Sequence, residues 1–144
     1  MISSNYGQVH YKGMFRRAIG FYKAFKLLNE QETKQHTLVL YFLLCRSIEL
    51  CLKAFLLEDG VTPEDLPKRN MYGHDLKKIL DDVIKRNLVN FSNDEVKKIE
   101  ILNNPYCKKD FEYFISGKMT LPKVSTVIPI AEKMFNKGSK ILYK

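Results

Sequence analysis

The chain has 144 residues, 45% of them hydrophobic and 28% charged, with seven Gly and five Pro, which excludes a disordered tail, a fibre or a low-complexity repeat. At this length a single domain with a self-sufficient core is expected. Lys and Arg number 24 against 16 Asp and Glu, a formal charge of +8, divided as eight cations against five carboxylates in residues 1–60 and sixteen against eleven in residues 61–144. The excess is spread along the chain. It suits a phosphate-rich partner, because each Lys brought to a polyanion releases counterions, and it suits plain solubility equally well.

Residues 14–29 set Phe15, Ala18, Ile19, Tyr22 and Phe25 at steps of three and four, opposite Arg16, Lys23 and Lys26. The spacing predicts a helix with one buried stripe, after a loosely packed N-terminus over residues 1–13. From about Lys34 to Leu57 there is no Gly or Pro and the residues are apolar around most of the helical circumference, as in the middle of a bundle. A membrane span over Leu38–Leu57 competes with that reading. Arg46, Glu49 and Lys53 inside it cost ~2.5–3.5 kcal/mol each at mid-bilayer, so no membrane is expected.

Gly60, Pro63, Pro67 and Gly73 make residues 59–73 a long connection, a length often tied to function. A third helix is predicted from His74 or Asp75 to about Asn87, with Leu76, Ile79, Leu80, Val83 and Ile84 on its apolar face. Ser92 and Glu95 have capping-box spacing, so a fourth helix should begin near Asn93 and carry Val96, Ile99 and Leu102 inward until Asn104-Pro105 stops it. Residues 105–122 have aromatic and β-branched character around Ser116-Gly117, which fits a short hairpin or a compact loop. Phe111, Tyr113 and Phe114 are expected in the core ahead of stacking on bases. A last helix is expected from Ser125 or Thr126 to Leu142, with Pro129 tolerated among the spare amides of the first turn and Val127, Ile130, Ala131, Met134, Ile141 and Leu142 inward. The fold class is therefore all-α, an up-and-down bundle of four to five helices with one long loop.

Three Cys is an odd count, and Cys45 and Cys51 lie in the apolar run, where thiols act as small hydrophobes. No Cys-x-x-Cys pair occurs, and His10, His36 and His74 are far apart in sequence, so neither a disulfide, a metal nor a cofactor is expected. The first residues lack the apolar stretch of a leader peptide, and the expected location is the cytoplasm.

Two constellations carry chemistry. Arg46, Glu49 and Lys53, spaced by three and four, align on one face of the central helix as either a solvated ion pair or the polar wall of a cleft or subunit interface. Arg69 is followed after four residues by His74, at or just before a helix start whose positive dipole end favours neutral imidazole, a state able to accept a proton. Arg69 could bind a phosphate while His74 takes a ribose 2′-hydroxyl proton, cleaving RNA without metal. The plainer reading is a His that caps a helix beside a solvated Arg.

Glu49, three residues, then Lys53-Ala54-Phe55-Leu56, with Gly60 after it and Gly73-His74-Asp75-Leu76 followed by Ile79-Leu80, resembles the HEPN family. Leu102-Asn103 with Pro105-Tyr106 and the closing helix are similar to its second half, so the likeness covers roughly residues 14–142. The resemblance implies an all-α bundle, commonly a homodimer, found in toxin-antitoxin pairs, phage defence and RNA processing. Active members of the family are metal-independent ribonucleases with an Arg, four to six residues and a His, often with a polar residue after the Arg, and with sites from two subunits meeting at the dimer cleft. Arg69, Asn70 and His74 match that formula, although Pro67 and Gly73 put this Arg in a loop where active members hold the motif in a helix. The resemblance thus implies an endoribonuclease with His74 as base, Arg69 as phosphate clamp, Asn70 positioning and Glu49 orienting a neighbour. Members with Gly-His-Asp-Leu are frequently partnered with a small nucleotidyltransferase-type protein. The rival reading is accordingly a non-catalytic subunit whose groove, lined by Arg46, Glu49 and Lys53, binds a nucleotide or a partner such as an antitoxin or that nucleotidyltransferase. A purely structural dimer module with His74 buried is the third.

Overall fold

The computed structural model describes residues 10–31, 34–68, 70–113 and 118–142. Five helices follow in order: α1 (Tyr11–Glu30), α2 (Thr37–Glu58) after a 3-10 turn at Lys34–His36, α3 (Leu76–Lys85), α4 (Asn93–Cys107) and α5 (Val124–Ile141). No strand occurs among the described residues. The helix α2 is the axis of the bundle and touches each of the other four. Leu44, Cys45, Ile48, Cys51, Leu52 and Leu56 along it are fully enclosed, as its all-round apolar sequence requires. No helix among the described residues is long and apolar enough to cross a membrane.

α1 begins three residues before its apolar periodicity does. His10 supplies the N-cap, its ring nitrogen accepting from the Lys12 amide at 3.2 Å, so the first turn needs no buried face. The stripe of Phe15, Ala18, Tyr22 and Phe25 is buried. Tyr22 stacks on Phe135 of α5 at 4.8 Å and donates to Glu132 at 2.8 Å. A Cβ on Gly138 would meet Phe15 Cε2 at 2.4 Å, so only glycine lets that ring lie on the α5 backbone.

The fourth helix does start at the Ser92/Glu95 capping box, but it does not stop at Asn104-Pro105. Pro105 removes only the bond to the Ile101 carbonyl, at an exposed position, and the helix runs on to Cys107. The hairpin expected within residues 105–122 is absent from the described residues: 105–107 complete α4 and 108–113 form turns, while Ser116 and Gly117 lie outside the described residues. Phe111 is buried and stacks on Tyr41, Tyr113 is exposed, and Phe114 lies outside the described residues. Tyr41 also donates to the Pro122 carbonyl at 2.6 Å, tying the approach to α5 onto α2.

Pro129 falls in the second turn of α5, past the spare amides of the first, so it does remove a helical hydrogen bond. The carbonyl left over belongs to exposed Ser125, where water replaces the donor. Two residues expected inside are exposed: Ile84, which lies about 90° from the centre of the α3 stripe, and Ile141, which projects past the core at the end of α5.

Residues 59–68 and 70–75 are well tied down for a connection rich in Gly and Pro. Leu66 and Tyr72 are buried, and the Tyr72 hydroxyl donates to Asp82 of α3 at 2.5 Å. Gly73 adopts φ of 53°, a left-handed turn that points its carbonyl at α2. Asp75 then caps α3 by accepting from the amides of Lys77 and Lys78. Buried Asn103 of α4 clasps the junction, accepting from the Leu76 amide at 2.7 Å and donating to Asp75 at 3.0 Å.

Candidate functional site

α2 carries Arg46, Glu49 and Lys53 along one ridge, and the connection brings His74 against it. The ridge faces inward, not bulk water: the side chains of Glu49 and Lys53 are 1% and 6% exposed, against 30% for Arg46 and 55% for His74. The reading of Glu49 and Lys53 as a solvated surface pair is therefore overturned. The reason is the connection itself, which folds back over the ridge so that Lys53 Nζ donates to the Gly73 carbonyl at 2.5 Å as well as to Glu49 Oε2 at 2.8 Å.

Glu49 is the hub. Its carboxylate accepts from Lys53, from the Tyr106 hydroxyl of α4 at 2.5 Å, and from Arg46 Nη1 at 3.4 Å to each oxygen. Burial alone would raise its pKa, but the Lys53 charge, hydrogen bonds from Lys53 and Tyr106, and the Arg46 charge outweigh burial and hold it below the usual carboxylate range. Burial, then the Glu49 charge, drive the Tyr106 phenol far above its ordinary value, so it stays a donor. Burial also works against the Arg46 charge, and Glu49 more than restores it.

His74 Nδ1 lies 3.0 and 3.1 Å from the two Glu49 oxygens and 3.2 Å from Arg46 Nη1. Nδ1 donates to Glu49 in the tautomer that carries its proton there and accepts from Arg46 in the other, and the carboxylate beside it favours the first. In the Nδ1–H tautomer the lone pair falls on Nε2, which has no hydrogen-bond partner among the described residues. The orientation of the ring comes from Glu49. It does not come from a helix terminus, because Asp75, not His74, caps α3.

A cleft of about 350 Å³ has Phe21 of α1, Phe42 and Arg46 of α2, His74, Tyr106 and Lys109 on its walls; of the groove expected from Arg46, Glu49 and Lys53 only Arg46 lines it, because the other two are buried. A larger cleft of about 650 Å³ between α4 and residues 118–121 holds no His or Cys. Asn70 is exposed and does not line the His74 cleft, and Arg69 lies outside the described residues. Among the described residues no group of three or more His, Cys, Asp or Glu could hold a metal ion, and Cys45, Cys51 and Cys107 are free thiols.

A family model described as the HEPN domain matches residues 11–142, nearly the whole chain. The chain belongs to the HEPN family. No curated protein and no solved structure matches it. In this HEPN domain the Glu49-x3-Lys53 spacing and the Gly73-His74 step meet at one point: Lys53 holds the glycine carbonyl, and Glu49 holds the histidine next to it. Tyr106 and Lys109, among the cleft residues, were given no role by sequence reasoning. Tyr106 reads as one more aromatic on an amphipathic helix, and its only signal was its place beside Pro105 in the stretch similar to the family. Lys109 carried no signal, being one of a Lys pair in a polar segment.

Proposed function

We propose that this HEPN domain is a metal-independent endoribonuclease whose working pair is His74 and Arg46, with Glu49 as the residue that orients both. The observation that carries the reading is the 3.0 Å contact between Glu49 and His74 Nδ1, which supports the tautomer that donates from Nδ1 and keeps Nε2 as a base, next to a guanidinium that cannot lose its charge. Carboxylate, imidazole and guanidinium in that order are the parts that phosphodiester transfer needs.

In the reaction Nε2 takes the proton from a ribose 2′-hydroxyl. The 2′-oxygen forms a bond to the adjacent phosphorus, the P–O5′ bond breaks, and the 5′-oxygen leaves after taking a proton from water or from a second imidazolium. The products are a 2′,3′-cyclic phosphate and a 5′-hydroxyl. Arg46 neutralises charge building on the non-bridging oxygens, and Glu49 stabilises the imidazolium. Arg69 and Asn70, five and four residues before His74, are assigned to the approach of the strand. A homodimer would supply the second imidazole, and toxin-antitoxin or defence roles, or pairing with a nucleotidyltransferase-type partner, fit the family.

The test is incubation of the purified protein with mixed RNA in the presence of chelator, followed by analysis of the product ends. Cyclic phosphate ends that disappear in His74→Ala and in Arg46→Ala are the expected result. Cleavage by both variants at the wild-type rate would remove the assignment. A wild-type protein that binds RNA and never cleaves it would favour the non-catalytic subunit, for which the full satisfaction of the Glu49 carboxylate by protein donors speaks independently.

A further inference from the structure

Three helices of this domain end on the same pair of hydrogen bonds. After α2, the Gly60 amide reaches the Leu57 carbonyl and the Val61 amide reaches Leu56. After α3, Asn87 reaches Ile84 and Leu88 reaches Val83; after α4, Lys109 reaches Tyr106 and Asp110 reaches Pro105. Such an ending puts one residue in the left-handed region, where glycine is unstrained and asparagine is tolerated. Gly60 has φ of 104°, Asn87 of 58° and Lys109 of 65°. The first two are the residues this turn asks for. Lysine is not, and Lys109 alone of the three stands on the wall of the His74 cleft.

Strain kept at a site wall is best explained by what the strained residue does there. A left-handed residue sends its side chain off in a direction that a helical or extended one cannot, and here that side is the cleft. Lys109 is exposed and has no ion-pair partner among the described residues, whereas Lys53 and Arg46 are both engaged with Glu49. The rings of Phe21 and Phe42 line the same cleft, and the volume of about 350 Å³ lies in the range that holds one small ligand. One carboxylate, Glu112, also lines the cleft, beside the two fixed cations Arg46 and Lys109.

We propose that Lys109 is a phosphate-binding residue for single-stranded RNA, placed by its left-handed turn to hold the phosphate next to the one on Arg46 while an unpaired base lies against Phe21 and Phe42. The inference rests on the RNA reading above and names a contact that reading does not need. It concerns binding, so it stands or falls apart from cleavage.

The experiment measures the affinity of a fluorescent, non-cleavable single-stranded 2′-O-methyl RNA by anisotropy over a range of salt, together with the melting temperature of each variant. Lys109→Gly removes the cation and relieves the turn at once. It is expected to melt about 2–4 °C higher while binding about 5-fold or more weakly, with the salt slope smaller by about 0.7. Lys109→Arg keeps the charge and is expected to bind within about 2-fold of wild type. Wild-type affinity and salt slope in Lys109→Gly would overturn the proposal, as would equal weakening in Lys109→Arg. A wild type that binds but does not cleave removes the nuclease and leaves Lys109 standing; a wild type that binds no RNA at all overturns both.

Discussion

Replacing Lys53 by Met keeps the aliphatic stem and deletes only Nζ, the atom that joins α2 to the connection before α3. Two groups lose a partner: the Glu49 carboxylate at 2.8 Å and the Gly73 carbonyl at 2.5 Å. Both residues are buried, Glu49 at 1% exposure, so water cannot easily replace the ammonium. Removing one member of a buried pair costs about 3–5 kcal/mol, most of it the uncompensated charge left behind. For a domain of this size that lowers the melting temperature by about 10–15 °C. Glu49→Gln strands the ammonium beside Arg46 and should cost a similar amount. The double variant removes both charges, and the amide oxygen introduced by Glu49→Gln still accepts from Tyr106, so its cost should fall short of the sum of the singles by about 2–3 kcal/mol. Urea unfolding of the four proteins at neutral pH, read as midpoints with unchanged slopes, gives all the values needed. Single-variant costs below about 1 kcal/mol, or costs that simply add, would refute the claim that this pair is a sealed, coupled unit.

Gly138→Ala should destabilise by about 1–3 kcal/mol despite the better helix propensity of Ala, because its Cβ would stand 2.4 Å from a fully enclosed Phe15 ring. Partial rescue by Phe15→Leu, read by thermal melting, would place the clash where it is drawn; no change in melting from Gly138→Ala alone would contradict it. Acid should weaken the fold through Glu49. Its folded pKa is held below the unfolded value of about 4.3, so the stability it contributes is present above that pH and disappears as the pH falls through the folded value. The stability difference between wild type and Glu49→Gln should therefore be constant near neutrality and shrink below about pH 4, and a difference that stays flat through that range would count against the assignment.

What could be read from the sequence follows from which forces are local. Helical periodicity and the Ser92/Glu95 capping box depend on residues three and four apart, so all five helices were visible, and the apolar circumference of α2 placed it at the centre. The errors sit where tertiary contact overrides a local rule. Proline at 105 reads as a stop, yet a helix one turn from its end loses only one bond there. Ile84 belongs to an apolar pattern whose edge the bundle does not cover. The charged ridge on α2 was visible, but its burial was not, since that depends on Gly73 turning a carbonyl onto Lys53 from twenty residues away. His74 was singled out for its distance from Arg69 and its nearness to a helix start. In the fold its neighbours are Arg46 and Glu49, nearly thirty residues earlier, and no spacing rule connects them.

That burial separates two kinds of demand on the same carboxylate. Lys53 and Tyr106 need Glu49 for the fold, because an enclosed ammonium needs a counter-charge and an enclosed phenol an acceptor. His74 needs nothing from the fold: its ring is more than half exposed, and an exposed contact to a carboxylate contributes little to stability. The needs of the fold account for Glu49, Lys53 and Tyr106 and leave His74, the fourth residue of this cluster, without a structural reason. Glu49 is also the only one of them that touches all the others, so its substitution confounds folding with function. His74 and Arg46, which face the cleft and contribute least to the interior, are the positions at which function can be tested without disturbing the bundle.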